Sequence, residues 1–389
     1  MRPLPPAAAV SLFYGSWFAI LGVYLPYFNL YLDRIGLDSA QIGLVSALLP
    51  LCGLLVPAPG GHLADRLGRR RDFVVTSSVL ALLAFLPMFR VGTFAGVAAV
   101  MAIYSAARAP ALPLVEATTL EIVERGGPPY GRMRAWGSCA FIVSSLAAGP
   151  LVGRLGERVV LFLMTALLVF GVVAAVLLPR DPSPRAAGGP TSAAAAILRR
   201  PSVALFFFCC LLMQASHGPY YVFFSLHLRQ AGVPTSTLGW LWAVAIASEI
   251  LMMLRMPSLL ARRSPESIMA VCLLLAALRW GVCAASVDPI LLALAQTLHA
   301  ATFAAFHVAA VSHTFRQFGP ERRATGQALY SSITYGLGSI VGMVGSGLLR
   351  DPIGTHGLFA AGAVAAALGW LLMAAASRPA GHRPPAFPL

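Results

Sequence analysis

The stretch GHLADRLGRRRD, residues 61–72, places four arginines next to Asp65 in one short turn between two long apolar runs. The whole chain has 389 residues, of which 58% are hydrophobic and only 11% are charged. This composition carries far more apolar surface than one soluble core can bury. So much charge in one turn of so apolar a chain indicates a connection at a membrane surface.

The apolar runs are long enough to cross a bilayer. A spanning helix needs about 20 apolar residues, and the chain accommodates roughly twelve such runs. We place them at residues 8–31, 40–60, 73–89, 94–120, 133–153, 158–178, 202–228, 235–260, 267–286, 289–313, 325–349 and 355–376. The sequence therefore predicts an all-α integral membrane protein with twelve transmembrane helices.

The basic residues predict the orientation of these helices. All 28 are arginine, and most fall in segments on one side of the membrane. The opposite side holds only Arg34, Arg90, Arg154, Arg158, Arg229 and Arg350. By the positive-inside rule, both termini are cytoplasmic. We expect a multi-pass protein of a bacterial cytoplasmic (inner) membrane. Arginines scattered over short turns form no continuous patch for nucleic acid, so we expect no nucleic-acid partner.

The chain also divides into two similar halves. The stretch PRDPSPRAAGGPTSAAAAILRRP, residues 179–201, is polar and rich in Pro, Gly and Ala, as expected of a linker. At an offset of 196 positions, residues 31–43 align with residues 227–239, which pairs Gly36 with Gly232 and Gly43 with Gly239. We predict two pseudo-symmetric six-helix bundles, residues 1–179 and 201–389, joined by a cytoplasmic linker at residues 180–200.

Residues 61–71 match the G-x-L-a-D-R-x-G-R-[RK] signature of the major facilitator superfamily, and they stand between the second and third spans as that signature does. The resemblance implies the major facilitator fold and a latch that stabilises the outward-facing state. Glycines allow a tight turn and a close helix approach, and an aspartate can accept hydrogen bonds from a helix N-terminus. The latch residues are expected to be Gly61, Asp65, Arg66, Gly68 and Arg69.

Four ionisable residues, Arg108, Glu116, Glu249 and Arg279, fall inside the predicted spans. Each charge at mid-bilayer costs about 2.5–3.5 kcal/mol if it faces lipid, so these side chains must face a hydrated interior or one another. Structural pairing between helices and a role in binding substrate or protons are both open. We favour the second, because ionisable residues at this depth commonly mark transport pathways.

The stretch VEATTLEIVERGGPPYGRMRAWG, residues 115–137, resembles the region between spans four and five of lactose permease and its relatives. The resemblance implies that Glu116 and Arg134 bind substrate. Arg132 and Arg134 are two apart, so only one of them can face the cavity, and the match selects Arg134. Phe141 stands where the family has a stacking tryptophan, which argues against a galactoside.

In the second half, ASEILM supplies Glu249, ALRWG supplies Arg279 and LAQTLHAATFAAFH supplies His299. These match an acid, an arginine and a histidine of the same family. The family's proton-carrying glutamate, three residues after the histidine, is Thr302 here. We therefore expect Glu249 to carry the proton and His299 to tune it, with Glu116 as a further proton-coupling residue.

Polar and aromatic stripes along otherwise apolar spans are typical of a cavity lining. Span seven carries Gln214, His217, Tyr221 and Ser225 on one face, and span one carries Trp17, Tyr24, Phe28 and Tyr31. Aromatic core packing explains the stripe in span one equally well. The expected substrate-binding residues are thus Tyr24, Glu116, Arg134, Phe141, His217, Tyr221, Glu249 and Arg279. No metal, cofactor or catalytic motif is recognisable.

The chain as a whole resembles the branch of phenylpropionate-type permeases, lactose permease and nucleoside proton symporters, beginning at LGVYLPYFNLYLDRIGL. The resemblance implies a proton-coupled symporter that imports a small polar or anionic organic solute (an aromatic acid, a sugar or a nucleoside) by alternating access. A proton-coupled exporter of the same fold is the alternative. A membrane enzyme is expected to cluster acids or histidines near one interface, which this chain does not do. We expect a monomer whose partners are its solute, protons and the lipid bilayer.

Overall fold

The structure, a computed structural model, describes residues 4–180, 200–319 and 322–376, apart from the side chains of Asp65, Leu67 and Ala324. All regular elements in this described part are helical, which confirms the all-α prediction. The helices are α1 (Pro6–Arg34), α2 (Ser39–Leu55), α3 (Pro57–Leu67), α4 (Arg70–Phe89), α5 (Phe94–Glu124), α6 (Tyr130–Leu155), α7 (Val159–Val176), α8 (Pro201–Gln230), α9 (Thr235–Arg262), α10 (Pro265–Ala285), α11 (Pro289–Phe318) and α12 (Thr325–Ala375).

Among the described residues, ten helices are long and apolar enough to cross a membrane, or eleven if α2 and α3, bent by 41°, are one span. The longest, α12, has 51 residues, and its backbone is non-helical at Gly354. A helix of that length measures about 77 Å, against about 30 Å for the hydrocarbon core. The protein therefore crosses the membrane many times, and the count of twelve spans stays a prediction.

Local sequence signals set where several helices begin. The carboxylate of Asp38 accepts a hydrogen bond of 2.8 Å from the backbone N–H of Gln41, whose side chain accepts from the backbone of Asp38 in return. This reciprocal capping box satisfies backbone donors that have no partner within α2. Asp288 caps α11 in a similar way, immediately before Pro289 at the first helical position.

The two glycines that the internal repeat aligns have the same local structure. Gly36 follows α1 with a φ of 86°, and Gly232 follows α8 with a φ of 82°. In both places the next residue closes the helix end, through Leu37 N–H to Leu32 at 3.2 Å and through Val233 N–H to Leu228 at 2.9 Å. Since L side chains rarely adopt this conformation, glycine is required at both positions. The repeat thus extends from sequence to backbone geometry.

The chain forms two compact units: unit 1 contains residues 1–189 and 221–243, and unit 2 contains residues 190–220 and 244–389. In unit 1, α1 packs against α6 and α7, and α4 packs against α5 and α7. In unit 2, the first half of α8 and α10 pack against α12, and α10 also packs against α11. The predicted domain boundaries stay a prediction, because residues 181–199 of the predicted linker lie outside the described residues.

Within unit 1, the beginning of α9 is fastened to α1 and α6. The hydroxyl of Tyr27 donates to the carbonyl of Ser145 at 2.8 Å, and that of Thr235 donates to the carbonyl of Gly149 at 2.7 Å. The hydroxyl of Ser145 donates in turn to the carbonyl of Gly239 at 3.2 Å. A Cβ atom at Gly239 would collide with both Ser145 and Tyr27. This contact therefore depends on a residue without a side chain.

Three helices contain a stretch of wider, π-helical turns. These stretches are Tyr24–Phe28 in α1, Ala300–Ala305 in α11 and Ser332–Gly338 in α12. Such turns are rare and occur often at functional sites. In α1 and α11 they include or directly follow a residue that the sequence assigned to the site, Tyr24 and His299 respectively.

Candidate functional site

Arg279 on α10 is the centre of a buried polar cluster in unit 2. Its side chain is fully buried and donates three hydrogen bonds to α11. The acceptors are Nδ1 of His299 at 3.0 Å, Oγ1 of Thr302 at 3.1 Å and Oε1 of Gln296 at 2.6 Å. A guanidinium fork suits several acceptors held in fixed directions. Thr302, which replaces the family's glutamate, is thus one of the three residues that hold Arg279.

His299 connects this arginine to Glu249 on α9. Because a guanidinium only donates hydrogen bonds, Nδ1 of His299 must accept and carries no proton in this arrangement. The other ring nitrogen, Nε2, lies 3.7 Å from Oε2 of Glu249. The side chain of Glu249 is 18% exposed, whereas His299 is buried. The structure therefore brings the predicted residues Glu249, His299 and Arg279 together in one chain of polar contacts.

Aromatic rings enclose the cluster. The guanidinium carbon of Arg279 lies 4.5 Å from the ring centre of Tyr220 and 4.3 Å from that of Trp280. The ring of His217 meets Trp280 edge-on at 4.9 Å and lies 6.2 Å from His299. His217 therefore belongs to the cluster through ring contacts. The sequence analysis missed Tyr220, Trp280 and Gln296, although Gln296 precedes His299 by three positions, on the same helix face.

Glu116 on α5 and Arg134 on α6 lie in unit 1, where they make no ion pair with each other. The hydroxyl of Tyr130 donates to Oε1 of Glu116 at 3.4 Å. The guanidinium carbon of Arg134 lies 3.6 Å from the ring centre of Phe18, and no carboxylate of the described residues is bound to it. Arg132 is exposed and Arg134 is half-buried, as the helical angle between them predicted.

Phe141 and Tyr221 are also in unit 1, on opposite sides of one tryptophan. Trp242 on α9 lies 6.4 Å from the ring centre of Phe141 and 6.4 Å from that of Tyr221. The predicted stripe on span seven is therefore divided, because Tyr221 belongs to unit 1 and His217 to unit 2. Trp242 was not singled out from the sequence, and it supplies an indole next to Phe141, the position where the family has a stacking tryptophan.

Arg108 and Tyr24 are buried between α1 and α5. Arg108 is only 4% exposed; it donates to the carbonyl of Trp17 at 2.9 Å and stacks on the Trp17 ring at 3.7 Å. No carboxylate among the described residues engages it. Tyr24 stacks on Phe28 at 5.0 Å, and its buried hydroxyl has no hydrogen-bond partner in the described part of the chain. Arg108 and Arg134 thus both stack on aromatic rings, and neither forms an ion pair with a carboxylate of the described residues.

The predicted latch is helical as far as Leu67, and Gly68, with a φ of 59°, makes the turn into α4. Arg66 and Arg69 are exposed. Among the described side chains, Arg70 forms an ion pair with Glu121 on α5, at 2.6 Å. The sequence analysis missed this residue, although Arg70 has the helical phase of the buried residues Val74, Ser77 and Ala81.

The expectation that Gly61 permits a close helix approach was wrong, because a Cβ atom there would meet only open space. The close approach is at the preceding Gly60, whose Cβ position lies 3.0 Å from Pro110. The side chain of Asp65 lies outside the described residues. Its assignment to the latch therefore stays a prediction.

Comparison with known proteins gives a family and several transporters. The sequence profile of the MFS_1 like family matches residues 8–361. The chain is 29% identical over 305 residues to the probable 3-phenylpropionic acid transporter of Escherichia coli (strain K12), covering 76% of this chain and 79% of that one. It is 27% identical to the maltose permease of Geobacillus stearothermophilus, covering 77% and 76% of the two chains.

Among solved structures, a mutant of the nucleoside transporter NupG superposes with a TM-score of 0.88 at 20% identity. The superposition covers 96% of this chain and all of that one. At this level of identity, the similarity shows the fold alone. The fold agrees with the one that the residue 61–71 motif indicated.

Proposed function

Since the chain belongs to the MFS_1 like family and is a multi-pass membrane transporter, we propose that it is a proton-coupled symporter. We propose further that it lies in a bacterial cytoplasmic membrane with both termini in the cytoplasm. In this proposal it imports a small polar or anionic organic solute by alternating access. The observation that carries the proposal is the contact chain Glu249–His299–Arg279.

The contact chain favours Glu249 as the proton carrier. A proton on Nδ1 of His299 would oppose the N–H of Arg279, so His299 cannot take a proton there without breaking its hydrogen bond at 3.0 Å. Glu249 is the partly exposed carboxylate at the end of the chain and can take a proton without disturbing Arg279. Loss of its negative charge weakens its attraction for His299, which links the proton to the position of α11.

The charges in unit 1 favour an anionic solute. Arg108 stacks on Trp17 and is bound by no carboxylate of the described residues, so a solute carboxylate would supply its counter-charge. Arg134 stacks on Phe18 and is attracted by Glu116 without a direct ion pair, which leaves its guanidinium able to bind a second carboxylate. Among the relatives, the one with a named acid is the probable 3-phenylpropionic acid transporter. We therefore place aromatic acids first in the solute class, ahead of nucleosides and sugars.

The test is solute uptake into proteoliposomes by the Glu249→Gln variant. Glutamine keeps the shape and hydrogen-bonding capacity but cannot exchange a proton, so uptake driven by a pH gradient is expected to stop while exchange of labelled for unlabelled solute continues. Glu157→Gln, which changes an acid in the connection between α6 and α7, is the control and should retain both activities. Loss of exchange together with driven uptake would contradict the assignment of Glu249 as carrier.

The solute is identified by thermal shift of the purified protein against aromatic acids, nucleosides and sugars, because a ligand that binds only the folded state raises its stability. Direction is identified in cells. Uptake of the hit compound supports the symporter, whereas resistance to that compound without uptake would assign the exporter of the same fold.

A further inference from the structure

One face of α1 is built from small residues at intervals of four: Ala7, Ser11, Gly15 and Ala19. Residues with this spacing lie in a row along a helix, and such rows usually allow another helix to approach. Here α6 touches the row at Gly15, through Ala140, but leaves space beside it. The row forms the floor of a groove of about 790 Å³ whose walls are α6 and α7.

The walls of the groove are apolar and face the bilayer. Trp136 and Val143 on α6 are 63% and 66% exposed, and Phe170 on α7 is also exposed. An exposed tryptophan in a membrane protein is typical of the lipid interface. The groove is therefore open along its side, and neither Glu116 nor Arg134 is among its lining residues.

The dimensions of the groove suit a hydrocarbon chain. Ala7 and Ala19 are separated by about 18 Å along the helix axis, close to half of the roughly 30 Å hydrocarbon core. A water molecule occupies about 30 Å³ of liquid, and a methylene group is of similar size, so the groove has room for roughly twenty-five such groups. One acyl chain of a membrane lipid fits this space within a single leaflet.

A second pocket of about 300 Å³, lined by prolines and by charged side chains, continues the groove and shares Ala7 and Pro128 with it. Arg125 and Arg180 line this pocket, and Arg132 lines the adjoining end of the groove. The acid that lines the pocket, Glu121, is bound to Arg70 at 2.6 Å and lies 3.9 Å from Arg125, whose side chain is 65% exposed and can also reach a phosphate. The mouth of the groove is consequently basic, whereas its interior is apolar.

From the apolar groove, its length and its basic mouth, we propose that unit 1 holds an anionic phospholipid with an acyl chain along α1 and its phosphate among Arg125, Arg132 and Arg180. The site selects lipids by charge at the mouth, because a guanidinium pairs well with a phosphate. The small residues of α1 leave space for an acyl chain, so the groove also selects lipids by their hydrocarbon part. This proposal does not depend on the transported solute.

The experiment is native mass spectrometry of the purified full chain, titrated with phosphatidylglycerol and, separately, with phosphatidylcholine of the same acyl chains. The wild-type protein is expected to bind one phosphatidylglycerol at least tenfold more tightly than phosphatidylcholine. Each arginine near a membrane surface contributes about fivefold in affinity, so replacing Arg125, Arg132 and Arg180 together by glutamine should lower phosphatidylglycerol affinity on the order of 100-fold. Arg154→Gln, at the other end of α6, is the matched control.

Gly15→Leu tests the floor of the groove. A Cβ atom at Gly15 meets only Ala140 at 3.9 Å, an ordinary contact, so the leucine side chain enters the groove without disturbing the helices. We expect a loss of about tenfold or more in lipid affinity from the displaced methylenes. Gly281→Leu, at a glycine on α10 that also faces open space, should leave it unchanged.

Equal binding of the two phospholipids by the wild-type protein would overturn the proposal, and so would full affinity in Gly15→Leu. Equal or tighter binding of a free fatty acid or a single-chain detergent would assign the groove to another amphiphile and overturn it too. If a variant is recovered in poor yield, a phosphatidylglycerol with a photoreactive acyl chain is applied to the wild-type protein. Crosslinks are then expected on α1 and α6, and crosslinks confined to other helices would contradict the site.

Discussion

The Nη1 atom of Arg279 lies 3.0 Å from Nδ1 of His299, and this contact fixes which nitrogen of the imidazole can hold a proton. Since the arginine always donates, the proton of neutral His299 is on Nε2, the atom that faces Glu249. One imidazole ring therefore contacts both Glu249 on α9 and Arg279 on α10. A substitution at Arg279 should affect proton coupling although Arg279 does not itself exchange protons.

Arg279→Lys tests whether the three hydrogen bonds from the guanidinium of Arg279 to α11 are needed. A lysine ammonium is a point charge that cannot reach His299, Thr302 and Gln296 with the same geometry, so driven uptake should fall about tenfold or more. The measurement is pH-driven uptake at matched protein amounts. Arg255→Lys, an exposed position on α9, is the control. Unchanged uptake by Arg279→Lys would show that charge alone is sufficient there.

Arg70→Gln should destabilise the protein more than Arg66→Gln or Arg69→Gln. The side chains of Arg70 and Glu121 are only 11% and 17% exposed, so removing one partner leaves the other charge poorly solvated, at a cost of about 3 kcal/mol. Exposed arginines contribute less than about 1 kcal/mol. Thermal unfolding in detergent provides the comparison, and combination with Glu121→Gln should recover part of the loss. Equal effects at all three arginines would contradict the assignment of Arg70 as the paired residue.

Gly239→Ala should weaken the attachment of α9 to α1 and α6 within unit 1. The new methyl group overlaps the Ser145 carbonyl and the Tyr27 hydroxyl, so the helices must separate, at a cost of about 1–3 kcal/mol. A lower melting temperature is expected. Gly53→Ala, at a glycine that faces open space, should leave the melting temperature unchanged. An unchanged melting temperature in Gly239→Ala would mean that α9 can shift without loss of stability.

Arg108→Met should leave the stability unchanged or raise it, while uptake falls. A buried guanidinium without an acid partner carries a desolvation cost that a flexible apolar side chain of similar length avoids. Melting temperature and uptake are measured on the same preparation. A clear fall in melting temperature would show that the contacts of Arg108 with Trp17 outweigh the desolvation cost, and that the arginine is retained for stability.

The fold was predictable because the hydropathy pattern extends over the whole chain and the motif at residues 61–71 is specific to one fold. The helices lie over the predicted apolar runs, and the Gly36/Gly232 alignment has the same backbone geometry in both places. Arg132 and Arg134 differ in exposure, as expected for residues two apart on a regular helix, while the assignment of Arg134 to the solute stays a prediction.

The details of the site were less predictable because they depend on which side chains meet across helices. The four arginines at 66, 69, 70 and 71 have the same chemistry, and the position of Glu121 on α5 determines that Arg70 forms the ion pair. The stripe on span seven predicted one shared face for His217 and Tyr221. Their separation into different units depends on tertiary contacts that helical periodicity does not contain.

The π-helical turns of α11 at Ala300–Ala305 change the direction in which the later side chains of that helix point. A wide turn holds more residues than an α-helical turn, so every position after it is displaced around the axis relative to a regular helix. If the same six residues formed α-helical turns, the downstream half would be rotated about the helix axis relative to its position here. His307 would then turn away from the hydroxyls of Tyr330 and Tyr335, which lie 3.1 and 2.9 Å from its Nδ1. The alanines between the two histidines, though chemically inert, therefore act as a spacer that determines what both imidazoles can touch.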